Sequence, residues 1–449
     1  HTNITAVVVQ SGKPGSADPP GELTTYDPPH TLRIDLQAQA SQKFNEAART
    51  LGLSFYHPDM KGLDWPALSR RYHDLATQTR TADEFAHVAR RFLGELNASH
   101  LGVYPPTPDS DIEQPSGRLG IDHTTITQPD GTVHARVERV IFNAPAADTV
   151  MALKPGDTIT RVELEPITHS LEHALQGRVG EETIITVERP AENLPDLNGD
   201  PPPDPVTLDL LITPISYGAE AARRYTDWTI QRREQVEQLS DGRLGYLHIR
   251  SMGAGSLEDF ERDLFAAAYG KDGLIIDVRN NPGGWITDRL LTSIMARPHA
   301  YTIPRGADNP RNDAYPQDRL YIQRYTKPIN LLINEKSFSN AEIFAHAFNA
   351  LERGTTVGVQ TYGGVISTGA FTLVDGTRVR RPFRGWYLKD GTDMENNGSI
   401  PDINIPQTPE DEAAGKDRQL ETAVRELLNR IDAQNASTPN DQANARHAR

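Results

Sequence analysis

The sequence predicts an α/β fold with smaller accessory domains, on three observations. From about residue 216 to 433, apolar strand-like runs such as GLIIDVRN alternate with helical segments such as SLEDFERDLFAAAYG, a pattern typical of a parallel sheet covered by helices. Residues 104–215 hold short β-type runs separated by Gly and Pro, which indicates a β-rich module. Residues 31–103 carry apolar residues three and four positions apart, which predicts helices.

Length and composition exclude several classes of protein. A chain of 449 residues exceeds what one hydrophobic core usually holds, so about two to four domains are expected. The net charge of −15 and the absence of a basic tract argue against nucleic acid or an anionic membrane surface as a partner. No apolar run approaches the ~20 residues of a membrane span. With no cysteine, thiol catalysis, disulfides and Cys-based metal sites are excluded.

The remaining segments complete the expected organisation. Residues 1–30 are rich in Pro and Gly and predict a linker, and AENLPDLNGDPPPDP at 191–205 predicts a hairpin insertion. Thr81 to Glu84 fits the capping box that opens a helix. Residues 434–449, after an amphipathic last helix, are expected to be a disordered tail.

The chain starts at His1 with neither Met nor signal peptide, so we expect a fragment or a processed form whose native N-terminal neighbour is missing. The sequence does not indicate a localisation, since a bacterial-type or archaeal-type cytoplasm and a periplasm are both compatible with it. No HExxH, GxxxxGK[ST] or GxGxxG spacing occurs, so neither a metal nor a nucleotide cofactor is predicted.

Two serines and a histidine lie close together in NEKSFSNAEIFAHAF, residues 334–348. Ser339 and Glu342 fit the S-x-x-E capping box after the strand-like run PINLLIN, so Ser339 is either a plain helix cap or a nucleophile at a helix start. His346 lies seven residues after Ser339, or roughly 10 Å along a helix. A general base must come within about 3 Å of its proton, so a base for Ser339 would come from elsewhere in the chain.

Two further motifs contain groups that could serve such a nucleophile. DVRNNPGGW, Asp277 to Trp285, is either a simple βα turn or a Gly turn whose backbone N–H groups stabilise negative charge. Ser99-His100, in GELNASHLGV, is either structural or a base next to a hydroxyl that orients its imidazole. Because active sites of α/β folds lie at strand ends, the first motif and Ser339 are expected at one edge of the sheet.

GLIIDVRNNPGG followed about fifty residues later by NEKSFSNAEIF resembles the C-terminal-processing and tricorn group of serine peptidases. C-terminal-processing enzymes use a Ser–Lys dyad, but GTTVGVQTYGGVISTG contains no Lys and the first Lys after Ser339 is Lys389. NASH at 97–100 before a β module, and Glu395 in DMENNGSIPDI, are similar to the tricorn branch instead. The similarity covers roughly residues 31–433.

The resemblance implies a serine peptidase that cleaves peptides or unfolded proteins through an acyl-enzyme, without a cofactor. It implies Ser339 as nucleophile and His100 as base, and it implies that Ser99 and Glu395 orient and polarise the imidazole. The backbone N–H groups of Gly283 and Asn340 would form the oxyanion hole. The alternative is a catalytically silent peptide-binding scaffold of the same fold.

The β module at 104–215 resembles a PDZ domain. GRLGIDH would supply its carboxylate loop and first strand, with Leu119, Gly120 and Ile121 as the peptide-binding residues. The alternative is a packing module without a ligand. The resemblance further implies that the helical segment docks on the α/β domain with the PDZ-like module inserted between them, that β-propellers precede the segment, and that the protein is a homo-oligomer.

Overall fold

The structure is a computed structural model that describes residues 34–106, 114–147, 152–194, 204–295 and 325–437. The chain divides into two compact units. One unit contains the residues up to Pro106 together with Thr368–Arg384, and the other contains Thr107–Ser367 and the residues from Gly385 onwards. The predicted linker at 1–30 lies outside the described residues, as do 195–203 of the predicted insertion.

The first unit begins with three helices, α1 (Leu36–Ser54), α2 (Trp65–Ala76) and α3 (Ala82–Gly94). The capping box predicted at the start of α3 is confirmed, because the Thr81 hydroxyl accepts the Glu84 amide and the Glu84 carboxylate accepts the Thr81 amide. The helices pack around a shared apolar core, since their buried faces carry large aliphatic and aromatic side chains. These include Phe44, Leu51, Phe85 and Phe92.

A three-stranded sheet completes this unit with strands β1 (Gly102–Tyr104), β12 (Ile366–Thr372) and β13 (Arg378–Gly385), in the order β1-β13-β12. Val103 and Val379, which are paired across β1 and β13, pack into the helical core together with Leu373. The helical segment therefore folds with a hairpin from late in the sequence, which the predicted contiguous α/β domain at 216–433 did not anticipate.

The second unit starts with the β module. Its strands form one antiparallel sheet in the order β2-β3-β4-β6-β7, with β5 paired to β4. The elements are β2 (Ile121–Thr127), β3 (Val133–Val140), β4 (Thr158–Val162), β5 (Glu165–Pro166), α4 (Leu171–Ala174), β6 (Thr183–Arg189) and β7 (Val206–Ile212). The β-rich module expected from the Gly and Pro spacing is thus confirmed.

The same unit contains a parallel sheet of five strands in the order β14-β11-β10-β9-β8. Strands and helices alternate: α5 (Tyr217–Leu239), β8 (Leu244–His248), α6 (Ala254–Ala268), β9 (Gly273–Asp277), α7 (Thr287–Ile294), β10 (Ile329–Ile333), α8 (Asn340–Ala350), β11 (Gly354–Gly358), β14 (Ile403–Asn404), α9 (Pro409–Ala413) and α10 (Arg418–Ser437). The mixed α/β fold is confirmed.

Helices cover both faces of the parallel sheet, which explains why β8, β9 and β10 are mostly apolar. On one face α6, α7 and α8 pack through residues such as Phe260, Leu290 and Phe344. On the other face α5 and α10 contribute residues such as Val236 and Leu427. Helix α10 continues to residue 437, past the expected start of the tail at 434, and 438–449 lie outside the described residues.

Strands β9 and β10 are neighbours, and Leu332 of β10 lies opposite Asp277 of β9. The turn that follows β9 and the segment that follows β10 therefore leave the sheet at the same edge. Within the described ranges, none of the helices combines the length and apolar character needed to cross a membrane.

Candidate active site

Ser339 occupies the N-cap position of α8, directly after the turn that follows β10. Its backbone has φ 57° and ψ −116°, a conformation that favours glycine and costs a serine of order 1–3 kcal/mol. Such strain persists only where the surroundings fix the backbone, and it concentrates at functional positions. Ser339 is therefore held in place by its neighbours rather than by its own preference.

The Glu342 carboxylate is the main group that holds the Ser339 backbone. Its Oε1 accepts the amides of Ser339 and Gly364, both at 2.8 Å. Its Oε2 accepts the Thr361 hydroxyl and the Gly363 amide, both at 2.6 Å. Burial raises the pKa of this carboxyl, although all four hydrogen bonds favour the charged form. One buried carboxylate thus links Ser339 to the segment that follows β11.

The turn after β9 is fixed by a buried ionic network. The Arg279 guanidinium contacts the Asp277 carboxylate at 2.7 Å and the Asp417 carboxylate at 2.9 Å, and Tyr246 donates to Asp277 at 2.9 Å. Asn281, fully buried, donates from Nδ2 to the Ile249 carbonyl at 2.8 Å. The start of the Asn-Asn-Pro-Gly-Gly turn is therefore rigidly attached to the sheet and to α10.

Gly283 lies directly against Ser339. A Cβ at Gly283 would stand 2.7 Å from the Ser339 Cβ and from the Phe338 carbonyl oxygen, and 3.2 Å from the Asn340 nitrogen. Its φ of 88° also favours glycine. The close approach is the reason this position takes no side chain, and it brings the two predicted oxyanion donors, Gly283 and Asn340, to one place.

The amides around Ser339 differ in their hydrogen bonding. The Gly283 N–H donates to the Asn281 Oδ1 at 2.9 Å. The Asn340 and Gly284 amides have no acceptor within the described part of the chain. The Asn340 side chain holds the start of α7, because its Oδ1 accepts the Thr287 amide at 3.0 Å. The Asn340 amide, at the positive end of α8, is thus available to an incoming anion.

In the first unit, Ser99 and His100 form a pair. The Ser99 Oγ lies 2.7 Å from the His100 Nδ1, and His100 is buried and has a φ of 59°. Burial, with a smaller contribution from the positive charge of Arg380, lowers the pKa of His100 to about 4. The imidazole is therefore neutral at physiological pH, as a base must be.

Glu395 is buried in the second unit, where its Oε2 accepts the Val365 amide at 2.8 Å. Its own amide donates to the Asp393 Oδ1 at 3.0 Å. Glu395 and Glu342 therefore bind adjacent parts of the same segment, since Val365 directly follows Gly364.

The other polar residues near Ser339 have structural roles. Ser337 is a turn residue, because its hydroxyl donates to the Val278 carbonyl at 2.8 Å and its amide donates to the Asn334 carbonyl. His346 lies two turns into α8 and is half-buried; burial lowers its pKa, while Asp390 opposes that shift.

Comparison with known proteins identifies the family. The profile described as Peptidase family S41 matches residues 243–405, which contain Gly283, Ser339 and Glu395, and the Tricorn protease C1 domain profile matches residues 36–94. The tricorn protease homolog 1 of Streptomyces coelicolor is 31% identical over 419 residues, which cover 90% of this chain and 37% of that protein. The chain belongs to the S41 serine peptidases, in their tricorn branch. The predicted resemblance is confirmed.

Other tricorn proteins agree with this assignment. The tricorn protease of Thermoplasma volcanium is 33% identical over 378 residues, covering 80% of this chain and 33% of that protein. The crystal structure of the tricorn protease matches this S41 chain with a TM-score of 0.72 at 24% identity, over 88% of the chain and 37% of the other. At that identity the match shows the fold. The chain spans about a third of the length of these tricorn relatives.

The β module of this S41 chain has a groove between β2 and α4, with a cavity volume of about 280 Å³. The buried residues Leu119 and Ile121 line it. Gly120, between them, has φ 76°, and a Cβ at this position would collide with the Ala144 side chain. The amides of Leu119 and Gly120 have no backbone acceptor in the described ranges. The Arg224 guanidinium lies at the same place and donates to the Ile121 carbonyl at 2.8 Å.

Several residues of the site were not singled out from the sequence. The S-x-x-E spacing indicated Glu342 as a cap, but gave no sign of its bonds to Gly363 and Gly364. Asn281 and Arg279 belong to the quoted turn motif, and the polar residues directly after an apolar strand are the only signal that could have identified them. Arg380, which acts on His100, lies 280 residues later in the sequence.

Proposed function

We propose that this S41 chain hydrolyses peptide bonds through an acyl-enzyme on Ser339, with His100 as general base. The observation that carries the proposal is the backbone of Ser339, held at φ 57° on a helix N-terminus and in contact with Gly283. A hydroxyl fixed beside two backbone donors is the arrangement that acyl transfer requires.

His100 is supported as the base by its neutrality and by its partner. If the Nδ1–H donates to the Ser99 hydroxyl, the Nε2 lone pair is left to accept a proton, so Ser99 selects the useful tautomer. A lysine base has less support, because Lys336 and Lys389 are both exposed to solvent, whereas lysines that act as general bases are buried. Glu395 is proposed to stabilise the imidazolium that forms during the reaction.

The steps follow from these roles. The Ser339 Oγ attacks the substrate carbonyl carbon while His100 takes the hydroxyl proton. The oxyanion accepts hydrogen bonds from the Asn340 and Gly283 amides, and for the second donor it must share or replace the Asn281 Oδ1. His100 then gives its proton to the leaving amine as the C–N bond breaks. Water attacks the ester by the same route in reverse and releases the acid.

This mechanism requires His100 within about 3 Å of the Ser339 hydroxyl during the reaction. We therefore propose that the helical segment docks on the α/β domain and that the PDZ-like module is an insertion between the two parts of one catalytic body. The test introduces one cysteine on the surface of the helical segment and one on the surface of the α/β domain, each beside the proposed contact. The two cysteines would cross-link if the docking exists.

Fluorophosphonate labelling tests the proposed activity. The wild type should be labelled at Ser339 and should cleave a proteome-derived peptide library, whereas Ser339→Ala should do neither. His100→Ala should lose turnover by a similar factor, and the double variant should be no worse, because groups acting as one unit are non-additive. A folded wild-type protein that is never labelled would favour the silent peptide-binding scaffold.

We also propose that the PDZ-like module binds the terminal carboxylate of a peptide. Support comes from the Leu119 and Gly120 amides, which have no backbone acceptor among the residues that the structure describes, and from the Arg118 and Arg224 side chains that line the groove. Fluorescence polarisation should detect a peptide with a free C-terminus and lose the signal when that terminus is amidated. Equal binding of both peptides would exclude recognition of the terminal carboxylate, and binding of neither peptide would indicate a packing module.

Assembly into a homo-oligomer is proposed on the family resemblance alone. Light scattering of the full-length protein tests it, and a strictly monomeric protein would contradict it.

A further inference from the structure

A cleft of about 520 Å³ lies on the sheet of the first unit, on the face opposite the helical core. Arg378 and Arg380 line it from β13, and Val379 between them points into the core. Because side chains alternate along a strand, the two arginines share the outer face. Tyr104, Thr368, Gly369 and Ala370 complete the lining.

The shape of the cleft depends on a glycine. A Cβ at Gly102 would stand 2.7 Å from the Tyr104 Oη and 2.8 Å from its Cε2, so the ring lies along its own strand over the Gly102 backbone. Gly102 is paired with Arg380, and Tyr104 with Arg378. The aromatic ring is therefore one wall of the cleft, directly beside the two guanidinium groups.

Neither arginine of the cleft forms an ion pair or side-chain hydrogen bond with a residue that the structure describes. Arg279, by contrast, is bound by two carboxylates. Arg380 is half-buried and Arg378 is exposed, while the whole chain carries a net charge of −15. Two guanidinium groups without an anionic partner among the described residues are suited to bind a carboxylate, which arginine can hold in bidentate geometry.

The cleft is also close to the proposed base. Gly102, opposite Arg380, follows His100 by two residues, and two extended residues span roughly 7 Å. Arg380 is the charged group that acts on the His100 imidazole. A base that protonates the leaving amine stands on the leaving-group side of the scissile bond, so a cleft beside His100 takes substrate residues from that side.

We propose that this cleft is a substrate subsite that binds an acidic side chain, Asp or Glu, through Arg378 and Arg380. The acidic residue lies on the leaving-group side of the scissile bond. It lies within about three positions of that bond, because the cleft is only a short distance from His100. The inference rests on the proposed peptidase function and adds the class of substrate that the site prefers.

The subsite can be tested with internally quenched peptides. These carry Glu, Gln or Lys at each of the three positions, and all have amidated C-termini. The Glu peptide should have the highest kcat/KM, by about tenfold or more over Gln, as expected for charge-assisted hydrogen bonds. In the R378M/R380M double variant the ratio of kcat/KM for the Glu peptide to that for the Gln peptide should fall to about one, whatever the absolute rate of the variant. R384M, which removes an exposed charge of the same strand outside the cleft, should keep the preference.

A charge reversal gives an independent result, since R378E/R380E should prefer the Lys peptide. An unchanged Glu preference in the double variant would overturn the proposal. The Gln peptide is also made with a free C-terminal carboxylate, and the proposal would be overturned if this peptide were cleaved as well as the amidated Glu peptide and depended on the two arginines to the same extent. Fluorophosphonate labelling of Ser339 is measured in every variant. Labelling without acidic preference rejects the subsite alone, whereas no labelling of the folded wild type rejects the peptidase function.

Discussion

The Glu342 carboxylate accepts the backbone N–H of Ser339 at 2.8 Å and, through both of its oxygens, the amides of Gly363 and Gly364. The N-cap of α8 and the segment that follows β11 are thus positioned by one buried carboxylate. The strained backbone of Ser339 is the group that most needs such support, because a serine left to its own preference would leave φ 57°.

Glu342→Gln is expected to lower kcat about tenfold or more with KM little changed. Every partner of this carboxylate is a donor, so the amide nitrogen of Gln would face at least one amide N–H that it cannot accept. The free energy of unfolding should fall by about 1–3 kcal/mol. Steady-state kinetics and thermal unfolding measure both effects.

The matched control for that variant is Glu258→Gln, at an exposed position of α6, which should change neither quantity. A loss of stability with kcat intact would mean that Glu342 supports the fold but does not position the nucleophile.

Ser339→Gly should be more stable than Ser339→Ala, by about 1 kcal/mol. Both variants lack the hydroxyl and should be inactive, but only Gly adopts the φ of 57° without cost. Chemical denaturation of the two variants side by side gives the difference. If the Ala variant is equally stable, the backbone at this position carries no strain.

Gly283→Ala is expected to abolish labelling of Ser339 and to destabilise the protein by several kcal/mol, since the new methyl would stand 2.7 Å from the Ser339 Cβ. Gly391→Ala is the matched control. Gly391 has almost the same φ, 87° against 88°, but nothing lies within 4 Å of its Cβ position. The Gly391→Ala variant should therefore lose only about 1–2 kcal/mol of unfolding free energy, the conformational cost of alanine at this φ, and it should keep full activity. Equal effects of the two substitutions would contradict the close approach.

The accuracy of the sequence prediction depended on how local each feature was. Strand β10, INLLI, was predictable because burial on both faces makes four of its five residues apolar. The capping box at Thr81 was predictable because its hydrogen bonds join residues three positions apart. The first unit was predicted only in part. Its helices follow from periodicity, but the hairpin that completes their core comes from about 270 residues later, and no local pattern identifies a strand's partner.

The candidate site follows the same rule. Ser339 and the Gly turn were identified from motifs within a few residues. Glu342 contacts Gly363 and Gly364, which lie 21 and 22 positions away. These contacts and the influence of Arg380 on His100 depend on tertiary packing, so they could not be derived from sequence spacing.

The pH dependence of kcat/KM should report the protonation of His100. Since kcat/KM reports the free enzyme, its acid limb should appear at the pKa of the base, about 4, and not near the ordinary value of 6.5. Burial is the larger cause of this lowering and Arg380 the smaller. Removing the positive charge in Arg380→Met favours the imidazolium, so the limb should move part of the way to higher pH. A substrate without acidic residues keeps the cleft out of the measurement, and R384M is the control.

Stability should change with pH in the same window. The unfolded chain binds a proton at His100 below about pH 6.5, while the folded protein does so only near 4, so the contribution of this residue is complete above 6.5 and is lost as pH falls towards 4. Protonation of Glu342, whose pKa burial raises, would also reduce activity in acid, but only the limb that belongs to His100 responds to Arg380. A wild-type limb near 6.5 that Arg380→Met leaves unmoved would remove His100 from the proposed mechanism.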